Sequence, residues 1–169
     1  MTNNISLLIV DDEIDFLNTI AQRMEMRGFE VTKASNGEDA ITATKTKKYD
    51  IALLDLKMPG LNGVEVLEIL KKEHKYLEVI ILTAHGSINT AFETSKLGAF
   101  GFLTKPFEFE KLIEMIKEAY HKRLMKKFES DRSKMDILLE KALTPTDLPS
   151  PEDALEVLME LQKLDNDIK

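Results

Sequence analysis

Five short apolar runs, separated by stretches of helical periodicity, constrain this chain's fold more than any other feature. The runs are Ile5–Val10, Phe29–Lys33, Ile51–Leu54, Val79–Leu82 and Phe100–Leu103. Several are apolar at consecutive positions, which suits strands covered on both faces. Between them, Ile14, Leu17, Ile20 and Met24 repeat at helical spacing and stop at Gly28. Ala40, Ile41 and Thr44 mark a second helix, and Val66, Leu67 and Leu70 a third. Ile88, Ala91, Phe92 and Ser95 mark a fourth, closed by Gly98. Strand–helix alternation of this kind predicts an α/β fold, a doubly wound parallel sheet with helices on both faces. Right-handed crossovers and five strands favour the order 2-1-3-4-5, with its switch point between strands 1 and 3. Ligands of such sheets bind beyond the carboxyl ends of the strands, so the residues there carry the functional reading.

Composition narrows the chemistry. The 169 residues contain no cysteine, which excludes thiol catalysis, disulfide scaffolds and cysteine metal sites. No apolar run approaches the roughly 20 residues of a membrane span. The polar start Met-Thr-Asn-Asn lacks a basic signal-peptide segment, so a cytoplasmic protein with no membrane partner is expected. The net charge of −7 is uneven: residues 1–130 carry −2 and residues 131–169 carry −5. An acidic tail is a poor partner for phosphates, and DNA binding by this chain is not expected.

The strand ends are rich in chemistry. Strand 1 runs into Asp11 and Asp12, strand 3 into Asp55 and strand 4 into Thr83, while Lys105-Pro106 follows strand 5. On the predicted fold all of them face one crevice. Three carboxylates that close repel one another, and a hard divalent cation with oxygen ligands, Mg²⁺, is the direct remedy. A lysine and a hydroxyl beside such an ion can hold phosphoryl oxygens, and an aspartate there can itself accept the phosphoryl group.

These residues resemble the receiver domains of two-component response regulators, over about residues 4–122. The acidic pair Asp11-Asp12 fits. So does Asp55-Leu56-Lys57-Met58-Pro59-Gly60-Leu61-Asn62-Gly63 as a phosphorylation loop, with Thr83-Ala84 and Lys105-Pro106. The stretch from Thr83 to Phe107 is most similar to receivers of the nitrogen-regulator class. The resemblance implies a flavodoxin-like receiver fold and a signalling switch rather than an enzyme in the usual sense. Asp55 would take a phosphoryl group from a histidine kinase or a histidine phosphotransfer protein. Asp12, Asp55 and the backbone carbonyl of Lys57 would hold Mg²⁺, with Asp11 acting through water. Thr83, Ala84 and Lys105 would bind the phosphoryl oxygens, and the bond before Pro106 would be cis. Thr83 and Phe102 would form the switch, acting by packing alone because Phe102 has no hydroxyl. Lys57 and His85, bordering the attacking water, would tune phosphoryl lifetime. The helix 4–strand 5–helix 5 face would change on phosphorylation.

Two other classes fit less well. A phosphatase of the haloacid-dehalogenase type shares the strand-end aspartate and Mg²⁺ but needs a second carboxylate two residues on, where this chain has Lys57. A flavodoxin needs a hydroxyl- and glycine-rich phosphate loop, where this chain has Asp11-Asp12-Glu13.

A receiver of residues 1–122 leaves 123–169 as a helical C-terminal extension. A fifth helix starts near Phe107, and its stripe of Leu112, Ile113, Ile116, Ala119, Tyr120, Leu124 and Phe128 outruns the needs of one domain. Residues 131–143 read as helical, with Met135, Leu138, Leu139 and Ala142 on one side. Thr144–Ser150 reads as a linker, and Ser150-Pro151 starts a last helix reaching about Leu164. The expected use is a homodimer through helix 5 and the C-terminal helices. The alternative is that the chain is the N-terminal fragment of a longer transcriptional regulator.

Overall fold

The computed structural model describes residues 4–142. The linker over 144–150 and the last helix expected from the sequence lie outside them. Within them the order is β1 (Ser6–Val10), α1 (Ile14–Met26), β2 (Glu30–Ala34), α2 (Gly37–Thr46), β3 (Ile51–Leu54), α3 (Gly63–Glu73), β4 (Glu78–Thr83), α4 (Ile88–Lys96), β5 (Gly101–Thr104) and α5 (Phe109–Ala142). The strands form one parallel sheet in the order β2-β1-β3-β4-β5, as the sequence predicts.

The consecutive apolar positions of the strands divide between two layers. Leu7, Ile9, Leu53 and Leu82 pack with Leu17, Ile20 and Met24 of α1 and Leu112 and Ile116 of α5. Leu8, Val10, Leu54 and Ile81 pack with Ala40 of α2 and Val66, Leu67 and Leu70 of α3. Adjacent residues point to opposite faces, and both faces are roofed, so β1, β3 and β4 are buried along their whole length.

Side-chain caps start three helices. The Oδ1 atoms of Asn36 and Asn62 accept hydrogen bonds from the N–H groups of Asp39 and Glu65, at 2.8 and 3.0 Å. Ser87 Oγ accepts from Thr90 N–H at 3.1 Å. Each satisfies one of the free donors at a helix N-terminus, stabilising it by about 1 kcal/mol. Gly28 closes α1 at φ +87°, where a side chain would be strained.

One element differs from the sequence reading. The apolar stripe of α4 faces outward: Ile88 and Phe92 are exposed, and the buried residue is Thr94. Thr94 can be buried because its hydroxyl donates to the carbonyls of Thr90 and Ala91 in its own helix, at 2.9 and 3.1 Å. Residues 131–142 are helical, as the sequence reading expects, and continue α5, which is 34 residues long. No Gly or Pro interrupts it.

The chain divides into two units, Met1–Arg123 and Leu124–Lys169. At the base of the first, opposite the carboxyl strand ends, Arg123 lies 3.1 Å from Asp50, which also accepts a hydrogen bond from the Ser6 N–H. In the second, Leu124, Met125, Phe128 and Ile137 are exposed. Among the described residues, no helix is long and apolar enough to cross a membrane.

Candidate functional site

The ladder brings the acidic residues together. The Asp55 N–H bonds to the Val10 carbonyl at 2.9 Å, so the ends of β1 and β3 stand side by side, and the Asp11 N–H bonds to the Ala34 carbonyl at 3.1 Å, which ties the end of β1 to β2. The side-chain oxygens of Asp11, Asp12 and Asp55 then lie within 4.8 Å of one another. Asp11 and Asp55 are buried, and Asp12 is the most open of the three.

Asp11 is held from two sides. Its Oδ1 accepts from the Glu13 N–H at 2.9 Å, and its Oδ2 from Lys105 Nζ at 2.5 Å. The lysine arrives because its own N–H bonds to the Thr83 carbonyl at 2.9 Å, extending the β4–β5 ladder one step. Burial pushes the Asp11 carboxyl above its ordinary value, against the pull of Lys105 and the Glu13 N–H.

Asp55 Oδ1 is buried without a hydrogen-bond partner. An orphaned carboxylate oxygen costs free energy unless a ligand answers it. Here it sits beside two more carboxylates, all of them hard oxygen donors, so the set fits a divalent cation such as Mg²⁺.

The acids open into a cleft of about 410 Å³ lined by Asp12, Asp55, Lys57, Met58, Ala84 and His85, among others. Lys57, Ala84 and His85 are exposed on its rim. Thr83 ends β4 fully buried, and its Oγ1 accepts from the His85 N–H at 3.2 Å. Phe102, half-buried, lies against the β4–α4 loop, where a Cβ on Gly86 would fall 2.6 Å from its ring. The Lys105–Pro106 bond is cis.

The loop after Asp55 is shaped by close backbone approach. Gly63 starts α3 so near β3 that a Cβ there would fall 2.3 Å from the Asp55 carbonyl oxygen, and its N–H donates to the Leu56 carbonyl at 2.8 Å. Gly60 turns the loop at φ +76°. Glu38 Oε1 then accepts from the Leu61 N–H at 3.3 Å, tying the loop to α2.

Sequence reasoning passed over Glu38, Glu13 and Phe16. Glu38 contributes from another element, and no local pattern marks it. Glu13 contributes its backbone, which any residue type supplies. Phe16 contributes from the first turn of α1, and its spacing from Asp12 marks nothing because Asp12 lies before that helix.

An open parallel α/β sheet with a carboxylate cluster at its switch point, and a lysine and a threonine on the neighbouring strands, is the layout of a phosphorylatable signalling switch. The model of the response regulator receiver domain matches residues 7–117, and the chain belongs to that family. A response regulator described as NtrX-like, from Rickettsia bellii, is 37% identical over 117 residues, covering 68% of this chain and 24% of that one. Sporulation initiation phosphotransferase F of Bacillus subtilis is 31% identical over 115 residues, covering 68% of this chain and 93% of that one. Among solved structures, a CheY-like receiver domain protein of Methanospirillum hungatei superposes with a TM-score of 0.71 at 27% identity. That match covers 73% of this chain and 99% of that one. The chain thus spans about a quarter of the NtrX-like relative's length, and nearly all of the two shorter proteins.

Proposed function

We propose that Asp55 is the phosphoryl acceptor, taking its group from the phosphohistidine of a histidine kinase or a histidine phosphotransfer protein. The observation that carries this reading is the orphaned, buried Asp55 Oδ1 at the floor of a cleft, among two further carboxylates and within the same site as Lys105. Asp11, Asp12, Asp55 and the Lys57 carbonyl would hold Mg²⁺. That ion, when bound, supplies positive charge to the carboxylates and to the phosphoryl oxygens.

The chain's own residues do the rest. An Asp55 oxygen attacks phosphorus while the P–N bond breaks, and the leaving imidazole keeps the bond's electron pair and takes up a proton. Lys105 exchanges part of its contact with Asp11 for a phosphoryl oxygen. Thr83 turns its hydroxyl from the His85 N–H to a second oxygen, and the Ala84 N–H meets a third. Phe102 follows Thr83 inward by packing. One arrangement of the β4–α4 loop satisfies the new charge and the other does not, so phosphorylation shifts the population between them. The shift reaches α4, β5 and α5, where Ile88 and Phe92 stand exposed. Lys57 and His85, on the rim, govern how easily water reaches phosphorus and hence the rate of self-dephosphorylation.

Residues 1–122 act as the receiver in the cytoplasm and 123–169 as an extension that pairs two copies through Leu124 and Phe128. A second reading, that the chain is the N-terminal fragment of a longer transcriptional regulator, is supported by the quarter-length match to the NtrX-like relative. Incubation with acetyl phosphate and Mg²⁺, followed by intact mass, tests the acceptor. A gain of one phosphoryl group in the native chain, absent in Asp55→Asn, is the expected result. The same gain in both overturns the assignment. Sedimentation of the chain against Leu124→Glu/Phe128→Glu tests the pairing, which fails if both behave as monomers.

A further inference from the structure

The contact that stands out beyond the phosphoryl site's named residues is aromatic. Lys105 Nζ lies 3.9 Å from the centroid of the Phe16 ring, while its charge is paired with Asp11 Oδ2. The lysine side chain is only 10% exposed. Phe16 is itself held edge-on by Phe107, with ring centroids 6.3 Å apart at 87°. Phe107 is two residues beyond Lys105. The chain thus returns on itself: Lys105 rests on Phe16, and Phe16 is fixed by the segment that carries Lys105. These three residues line one hollow of about 430 Å³ between α1 and the segment after β5.

We infer that Phe16 is a positioning residue for phosphoryl transfer, a shelf whose ring face holds the Lys105 ammonium where it can pass from Asp11 to a phosphoryl oxygen. A lysine carries a flexible four-carbon stem, and much of its freedom must be lost before it can meet a phosphoryl oxygen. The face of an aromatic ring attracts an ammonium through its quadrupole and takes at most one of its three N–H donors, leaving the others for oxygen. The shelf therefore restrains the charge yet leaves its hydrogen bonds for the carboxylate and then for the phosphoryl group. A second carboxylate in that place would compete for those donors, and a leucine would fill the space without attracting the charge. The inference rests on the proposed role of Asp55.

The test compares the native chain of 169 residues with its Phe16→Leu and Phe16→Tyr variants. The first readout is the rate of phosphorylation by acetyl phosphate with Mg²⁺, followed by intact mass. The second is the proton shift of the Lys105 ε-methylene, which a ring face moves upfield whether or not phosphoryl transfer occurs. The expected result is an upfield shift in the native chain and in the tyrosine variant, lost in the leucine variant. The leucine variant's rate should fall by about 2- to 30-fold, and tyrosine should restore it. An ε-methylene at its ordinary position in the native chain overturns the inference, as does a leucine variant that is phosphorylated at the native rate. A leucine variant slowed together with an equally slow, equally folded tyrosine variant also overturns it. A native chain that gains no phosphoryl group on Asp55 overturns the acceptor assignment and this inference with it. Gain in the native chain with no effect of Phe16 overturns this inference alone.

Discussion

Replacing Asp55 by Asn should make the metal-free protein more stable while blunting its response to Mg²⁺. The oxygens of Asp11, Asp12 and Asp55 lie within 4.8 Å of one another. Two unit charges at that distance repel by about 1 kcal/mol with the dielectric of water, and about 3.5 kcal/mol at the effective value of 20 typical of protein sites. Lys105 neutralises much of the Asp11 charge, so the repulsion between Asp55 and Asp12 is what the substitution chiefly removes. It also lowers the cost of the unpartnered buried atom, because a neutral amide is cheaper to desolvate than a carboxylate. A gain of about 1 to 3 kcal/mol follows, or roughly 2 to 12 °C in Tm for a chain of this size. Mg²⁺ should act the other way. At ten times its Kd it would stabilise the native chain by about 1.4 kcal/mol, and in the variant it would lose one of its proposed ligands. Thermal and urea unfolding of both proteins, in chelator and in a Mg²⁺ series, measure the two effects. The variant should start higher and rise less, so that the two curves converge. A variant no more stable than the native chain in chelator, or one that gains equally from Mg²⁺, would refute the electrostatic reasoning.

Other perturbations read other parts of the molecule. Because burial raises the Asp11 carboxyl above its unfolded value, folding favours its neutral form: that stabilisation is present below the unfolded pKa and lost as pH rises through the folded one. In chelator, the Tm difference between Asp11→Asn and the native chain should therefore shrink as pH falls through the native Asp11 titration, and a difference that grows toward acid would reverse the sign. Gly63→Ala places a Cβ 2.3 Å from the Asp55 carbonyl oxygen and 2.4 Å from the Leu56 Cα, both backbone, and should cost about 1 to 3 kcal/mol or more in urea unfolding. It should also slow phosphorylation, because relief of the clash moves the proposed acceptor. Arg123→Met leaves Asp50 without its 3.1 Å partner, with side chains 7% and 16% exposed, and should cost about 3 kcal/mol. Asp50→Asn/Arg123→Met should recover part of that loss, which a double-mutant cycle measures.

Much of the fold was legible because parallel strands roofed on both sides cannot hide their character. Ile51–Leu54 has no polar residue to misread, and Asp55 follows it directly. The acids, the threonine and the lysine were legible for a related reason: parallel strands put all their carboxyl ends on one edge, so a residue's place in sequence becomes a place in space. What the sequence did not show depends on partners from elsewhere. Glu38 reaches the Leu61 N–H across 23 residues, and Phe16 meets a lysine 89 positions away.

The orientation of α4 marks the physical limit of periodicity. Ile88 and Phe92 repeat at the spacing of a buried face, yet they point to solvent, because periodicity says which residues share a face and not which neighbour that face meets. A threonine turned inward costs little when its hydroxyl bonds to its own helix, so the polar residue does not veto the rotation. The outward apolar face is costly in isolation and gains value only against a partner. Its neighbour in sequence is the loop of Thr83, His85 and Gly86, where the proposed phosphoryl group would act and where Phe102 already packs. A helix that keeps its apolar side chains outward, hinged on the loop that would sense the phosphoryl group, is thermodynamically placed to change what it presents when that loop moves. The same feature that defeats sequence reading at α4 is the one a signalling surface requires.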